Sequence, residues 1–249
     1  MGDMSIEIHL ATVGHAPGIA ALKRLAWPDE TVDLTQVRTA IAAPGHAAWV
    51  ALDAGLVLGF VDGFLTRSPA GIQRWEVDLL AVHPDYLRRG LGRRLVQVST
   101  DAGRQRGASL ARALIGVENV ASQRTFARCA YQPEPGTCEL YVSSKGRLPR
   151  GLHTLPVVTF NYTGFWAEGA WASLALDAAQ MACLDGYGDL IGAVIPTEHV
   201  RGGQIERVWG AERVGRYRWW VLEGLAFRAR VPRSAQNLRL CSAFMRIEE

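Results

Sequence analysis

The chain has 249 residues, 49% hydrophobic and 20% charged, enough to bury one large core or two small ones. A net charge of +3 is too small to mark a nucleic-acid surface, and no apolar run approaches the roughly 18 residues of a membrane span. The start MGDMSIEIHL lacks a signal-peptide core, and Cys129, Cys138, Cys183 and Cys241 show no C-x-x-C spacing, so a cytoplasmic protein with free thiols and no metal site is expected.

Hydrophobic periodicity predicts a strand within residues 5–14, then a helix over 16–26 with Ile19, Leu22 and Leu25 on one face. A second helix follows over 34–42. Residues 47–52 and 56–66 flank Asp53-Ala54-Gly55, whose turn chemistry predicts a hairpin. In the next strand Trp75, Val77, Leu79 and Ala81 alternate with Glu76, Asp78, Leu80 and Val82, and His83-Pro84-Asp85 ends it. The run Arg88-Arg89-Gly90-Leu91-Gly92-Arg93-Arg94 then opens a helix marked by Leu91, Leu95 and Val98, with both glycines at its start. Unpaired N–H groups there carry partial positive charge, and glycines let a phosphate approach the backbone, so the turn reads as a pyrophosphate cradle. A strand over 109–117, a helix over 119–131 and a closing strand over 137–143 complete this part.

Two common phosphate motifs fail against the turn. A P-loop needs GxxxxGK[ST], and the only lysines are Lys23 and Lys145. A dinucleotide fingerprint needs a third glycine where Leu95 stands. The segment instead resembles the acyl-CoA loop of the GNAT N-acetyltransferase superfamily, [QR]-x-x-G-x-[GA] after an apolar strand. Here it is Leu87-Arg88-Arg89-Gly90-Leu91-Gly92 after Ala81-Val82-His83-Pro84, with Leu87 departing from the pattern. Asn119 to Tyr131 is similar in spacing to the family's N-x-x-[AS]-x-x-L-Y-x-K-x-G-F helix.

The resemblance covers about residues 5–145. It implies an α/β (α+β) fold, the GNAT acyl-CoA N-acyltransferase fold, with a mixed central sheet flanked by helices, acetyl-CoA as co-substrate, and a small-molecule or peptide amine as acceptor. By family precedent the general base is Glu76, with Asp78 beside it as an acidic partner, and Asp62 is a weaker candidate for substrate contact. Leu80 and Val82 would meet the pantetheine arm, with an oxyanion contact from the N–H near Leu80. Arg88, Arg89, Gly90, Leu91, Gly92 and Arg93 would surround the pyrophosphate, and Asn119, Phe126 and Arg128 stand at positions that commonly touch CoA. Phe126 replaces the tyrosine that protonates the leaving thiolate in many relatives, leaving Tyr86 or Tyr131 as substitutes.

The last hundred residues carry a short internal repeat. Leu114-Ile115-Gly116-Val117-Glu118-Asn119-Val120 lines up with Val194-Ile195-Pro196-Thr197-Glu198-His199-Val200; with a strand expected over 157–165, a helix over 171–184, a helix starting over 205–208 and a strand over 217–222, the order is similar to the second half of the same fold. In that alignment Trp171-Ala172-Ser173-Leu174-Ala175 replaces the arginine and glycine turn. The expected division is therefore a GNAT acetyltransferase domain over 1–147 and a smaller, degenerate, partial GNAT-like α/β unit over 148–249. The reading is an acetyl-CoA-dependent N-acetyltransferase; the alternatives are a non-catalytic acyl-CoA-binding module and a structural role as a homodimer built on exposed strand edges.

Overall fold

Strand and helix formation follow the apolar pattern closely through the first 143 residues. The computed structural model describes residues 6–68, 71–143, 157–160, 164–168, 190–200 and 211–225. In chain order it contains β1 (Glu7–Leu10), α1 (Ala16–Ala26), α2 (Leu34–Ala42), β2 (His46–Asp53), β3 (Leu56–Arg67) and β4 (Gln73–Val82). There follow α3 (Leu91–Gln105), β5 (Leu110–Gly116), α4 (Val120–Ala127), β6 (Gln132–Pro133) and β7 (Cys138–Ser143), and then β8 (Val157–Phe160), β9 (Gly164–Glu168), β10 (Leu190–Pro196) and β11 (Ala211–Leu222). Asp33 caps α2 by accepting the Thr35 N–H at 2.8 Å, and α1 buries Ala16, Ile19, Ala20 and Leu22. Leu25, expected on that face, is exposed.

One sheet runs through the structure in the order β1-β2-β3-β4-β5-β11-β7-β10-β9-β8, with the short β6 paired beside β11. Its pairs are antiparallel except β4 with β5 and β10 with β9. The residues of β2 and β3 sort cleanly between its faces. Trp49, Ala51 and Val61 pack with Leu91, Leu95 and Val96 of α3, whereas Ala48, Val50 and Phe60 pack with Ile19, Leu22 and Val37 of α1 and α2. Trp75 anchors the α3 face: fully buried, it donates its indole N–H to Ser99 Oγ at 3.0 Å. Its ring lies so close to Gly63 and Gly103 that a side chain at either position would collide with it.

Two features depart from the expected pattern. The alternation in β4 is interrupted: register passes from Val61↔Leu80 to Gly63↔Val77, so β4 spends three residues where β3 spends two. This bulge shifts the pleat at Asp78 and Leu79. Trp75 and Val77 before it, and Leu80 and Val82 after it, belong to the α3 face, while Leu79 and Ala81 join the α1/α2 core. The second departure is topological, because β7 is not the neighbour of β5. β11 lies between them, antiparallel to both, with Tyr217↔Gly116 on one side and Tyr217↔Cys138 on the other. Residues on the far side of the expected division at 147/148 thus complete the sheet of the first part.

β8, β9 and β10 extend the sheet beyond β7, and β8 comes back into contact with β3, so this part of the sheet curls strongly. Where one strand is expected over 157–165 the structure has two, β8 and β9, paired antiparallel, and the expected strand end at 194–196 lies in β10. The helices expected near 171–184 and 205–208, including the turn aligned with the cradle, lie outside the described residues. Among the described residues no helix is long and apolar enough to cross a membrane, and no group of His, Cys, Asp or Glu is arranged to hold a metal ion.

Candidate active site

β4 and β5 run side by side only at Arg74–Glu76 against Leu110–Arg112. Beyond Glu76 they part, and the first turn of α3 opens at the end of the gap. Gly90 caps α3 with φ +77°, a left-handed conformation that other residues adopt at a cost, and a Cβ there would meet nothing within 4 Å. The first intrahelical bond runs from the Arg94 N–H to the Gly90 carbonyl at 3.1 Å, so the N–H groups of Leu91, Gly92 and Arg93 lie ahead of the ladder. A side chain at Gly92 would touch Leu80, Val82 and Thr125 at 3.7 to 3.9 Å, which puts this turn directly beside the two β4 residues expected to meet the pantetheine arm. The open cradle at Gly90 and the unpaired first-turn donors fit a pyrophosphate.

Around this turn Arg88, Arg89 and Arg93 are exposed, and the Arg89 guanidinium stacks 4.9 Å from the centre of the Tyr86 ring. Arg94 bonds the Ile6 carbonyl at 3.0 Å and ties α3 to the start of β1. Leu91 is buried in the core, so its contribution to a ligand is its N–H. Asn119 caps α4, accepting the Ser122 N–H at 3.0 Å, and Arg128 is exposed at the end of that helix. Phe126 is a core residue, 3% exposed and packed edge-on against Tyr131 at 5.0 Å. Tyr131 is equally enclosed: its hydroxyl meets Thr100 Oγ1 at 2.7 Å, and burial pushes its pKa well up. Neither aromatic ring offers a proton to a leaving group in the gap.

The acidic residues separate into two kinds. Glu76 is buried and fully engaged: Arg112 Nε lies 2.9 and 2.8 Å from its two oxygens, Arg74 Nε lies 3.5 Å from Oε1, and Thr66 donates its hydroxyl to the same oxygen. Arg112 in turn lies 3.8 Å from the ring centre of Trp219 on β11. A carboxylate so surrounded is a structural tie, and its lone pairs are directed at fixed donors. Asp78 stands in the bulge two residues on. The residue as a whole is exposed, but desolvation of its carboxyl group by the protein atoms around it pushes the pKa up to about 7, assisted by Asp62 and Glu76 and opposed by His46 and Lys23. Asp62 itself is held by His46 Nε2 at 3.0 Å and by the Gly63 N–H at 2.8 Å. The His46 ring stacks on Phe64, with 5.7 Å between centroids.

An open cleft of about 570 Å³ lies beside these groups, between α1, α2 and the sheet, with Lys23, Asp62, Ile19, Phe60 and Leu79 in its wall. Asp78 and Asp62, both singled out in the sequence, lie close together here, and the structure adds His46, Lys23 and Arg112, which the sequence did not single out. An arginine inside the apolar run Leu110-Ala111-Arg112-Ala113-Leu114 was the available signal for a buried charge partner. No comparable signal marked His46, which joins Asp62 only through the β2/β3 pairing.

The fold, the cradle and the parted strands agree with the family match. Residues 19–131 match the family model described as the acetyltransferase (GNAT) family. The chain's similarity to a curated relative is moderate: the L-2,4-diaminobutyric acid acetyltransferase of Streptomyces coelicolor (strain ATCC BAA-471 / A3(2) / M145) is 31% identical over 121 residues, 43% of this chain and 65% of that protein. The chain thus matches just under two thirds of that relative's length. Among solved structures, the GCN5-related glucosamine N-acetyltransferase region of a fungal multi-domain GH3 β-N-acetylglucosaminidase has the same fold, with TM-score 0.50 and 14% identity over 60% of this chain and 20% of that one. The aminoglycoside N-acetyltransferase AAC(6′)-Iy in complex with CoA is also similar, with TM-score 0.46 and 19% identity over 49% of this chain and 85% of that one.

Proposed function

We propose that the protein is a cytoplasmic acetyl-CoA-dependent N-acetyltransferase that uses Asp78, rather than Glu76, as the general base. The observation that carries this reading is the juxtaposition at the β4 bulge. Leu80 and Val82 border the open gap on one side of it, the first turn of α3 closes that gap, and Asp78 carries a carboxyl whose pKa is pushed up to about 7. The N–H groups of Leu91, Gly92 and Arg93, with the side chains of Arg88, Arg89 and Arg93, hold the pyrophosphate of the co-substrate. Leu80 and Val82 receive its pantetheine arm. The backbone N–H near Leu80 steadies the carbonyl oxygen as it gains charge.

The amine nitrogen then forms a bond to the thioester carbonyl carbon while the carbon–sulfur bond breaks, and Asp78 takes the proton the amine loses. Sulfur leaves as a thiolate, which needs no enzyme acid because a thiol of pKa about 8.5 is already a tolerable leaving group. That step suits a chain in which Phe126 and Tyr131 are both sealed in the core. An acceptor of amino-acid size suits the cleft, and the curated relative named for L-2,4-diaminobutyric acid supports that size class. The test is thiol release on mixing the full chain with acetyl-CoA and a panel of amines, with acetylated product identified by mass. Intact CoA binding without release on any amine would leave an acyl-CoA-binding module.

A further inference from the structure

Lys23 projects from α1 into the cleft and is the one basic residue in the wall described for it. Its neighbours there are already occupied. Asp62 is taken by His46 and the Gly63 N–H, and Asp33 accepts the Thr35 N–H as the cap of α2. Arg24, the next cation along α1, turns away to the Val32 carbonyl at 3.1 Å. Lys23 itself forms no salt bridge among the described residues, yet it is close enough to Asp78 to hold that carboxyl down. A half-buried ammonium in the wall of an open cleft, without a paired carboxylate among the described residues, is a charge awaiting an anion.

We propose that the acceptor is a small zwitterion, an amino acid or diamino acid, whose carboxylate binds Lys23 while its reacting amine reaches Asp78. This rests on the reading of Asp78 as the base. Ile19, Phe60 and Leu79 line the same cleft as Lys23, and Asp78 directly precedes Leu79 in β4, so the cleft offers apolar wall for a short methylene chain. A polycation of the same length would set an ammonium against Lys23, and like charges brought together in a partly desolvated cleft are strongly disfavoured.

The probes are L-2,4-diaminobutyrate and 1,3-diaminopropane, which has the same two amines at the same spacing and no carboxylate. Calorimetry on the full chain with CoA present is expected to give diaminobutyrate an advantage of at least about tenfold, ~1.4 kcal/mol. Lys23→Gln is expected to erase that advantage and Lys23→Arg to retain it, with melting temperatures confirming that both variants fold. Equal binding of the two probes by the wild type, a preference that survives Lys23→Gln, or binding of neither probe would overturn the proposal. The two readings fail separately. Lys23-dependent binding of diaminobutyrate without thiol release would refute the acetyl transfer and keep the site, whereas thiol release on diaminopropane that ignores Lys23→Gln would keep the transfer and refute the site.

Discussion

Arg112 embraces Glu76 through Nε, 2.9 and 2.8 Å from the two carboxylate oxygens, while its guanidinium carbon sits 3.8 Å above the ring of Trp219. One side chain thereby joins β4, β5 and β11 and neutralises the acid that family precedent makes the base. With Arg74 and Thr66 added, the group forms a buried polar network in which removal of one member strands the others.

Glu76→Gln is therefore expected to act on stability. It leaves Arg74 and Arg112 without their shared counter-charge in a buried setting, a change worth about 3–5 kcal/mol. Denaturant unfolding measures it, and the pH dependence of turnover in the surviving folded protein should match that of the wild type. A variant as stable as the wild type that had lost its ascending pH limb would restore Glu76 as the base.

Asp78→Asn should leave CoA binding intact and lower turnover by about 10²- to 10⁴-fold. With its pKa pushed up to about 7, Asp78 must lose a proton before it can accept one, so the wild-type rate rises with pH through about 7 and the variant lacks that limb. Stability moves the other way. The folded state holds the proton that the unfolded chain has released between the ordinary carboxylate pKa and about 7, so folding is favoured at the acid end and weakens as pH rises through that window. Asp78→Asn should flatten this slope, which thermal melts across pH 4 to 8 would read.

The cradle can be tested at two positions that differ in backbone strain. Gly90→Glu brings both a like charge and a left-handed φ of +77°, so loss of CoA binding there mixes two effects. Gly92 has no such strain, its Cβ position makes only ordinary contacts, and an acid in a first helical turn is favoured by the dipole. Gly92→Asp should fold normally and weaken CoA at least about tenfold, ~1.4 kcal/mol. Unchanged affinity in both variants would remove the phosphate from this turn.

A chain ending at residue 147 keeps the whole family-matched segment and loses β11. It should unfold at lower denaturant and self-associate, because β5 becomes an edge and Trp220, part of the main core, is missing. Analytical ultracentrifugation with denaturant unfolding checks both. A monomer as stable as the full chain would make β11 dispensable.

Periodicity placed α1, α2, the β2/β3 hairpin, α3 and α4 because each is an amphipathic or alternating segment whose face is decided locally. The bulge at Asp78 and Leu79 was invisible to the same reasoning, since both residues fit a plain alternation and only the β3 register exposes the extra one. The surroundings of Glu76 were hidden for a related reason: its partner Arg112 lies 36 residues later and one strand away. The glycine-flanked start of α3 was legible because Gly90 and Gly92 sit in one contiguous turn. The position of β11 was the hardest to foresee, as it interleaves residues 211–222 between strands that precede it by about 70 to 100 positions.

That interleaving also dictates a timetable. β5 and β7 leave the ribosome long before the strand that separates them, and roughly 80 residues must still be made between Ser143 and Leu222. At 5–20 residues per second this takes about 4 to 16 s, during which β5 offers an unpaired backbone to any other nascent chain. Closure is a long-range event whose loop entropy is met only at the end, so the sheet begun by the first half of the chain is completed last.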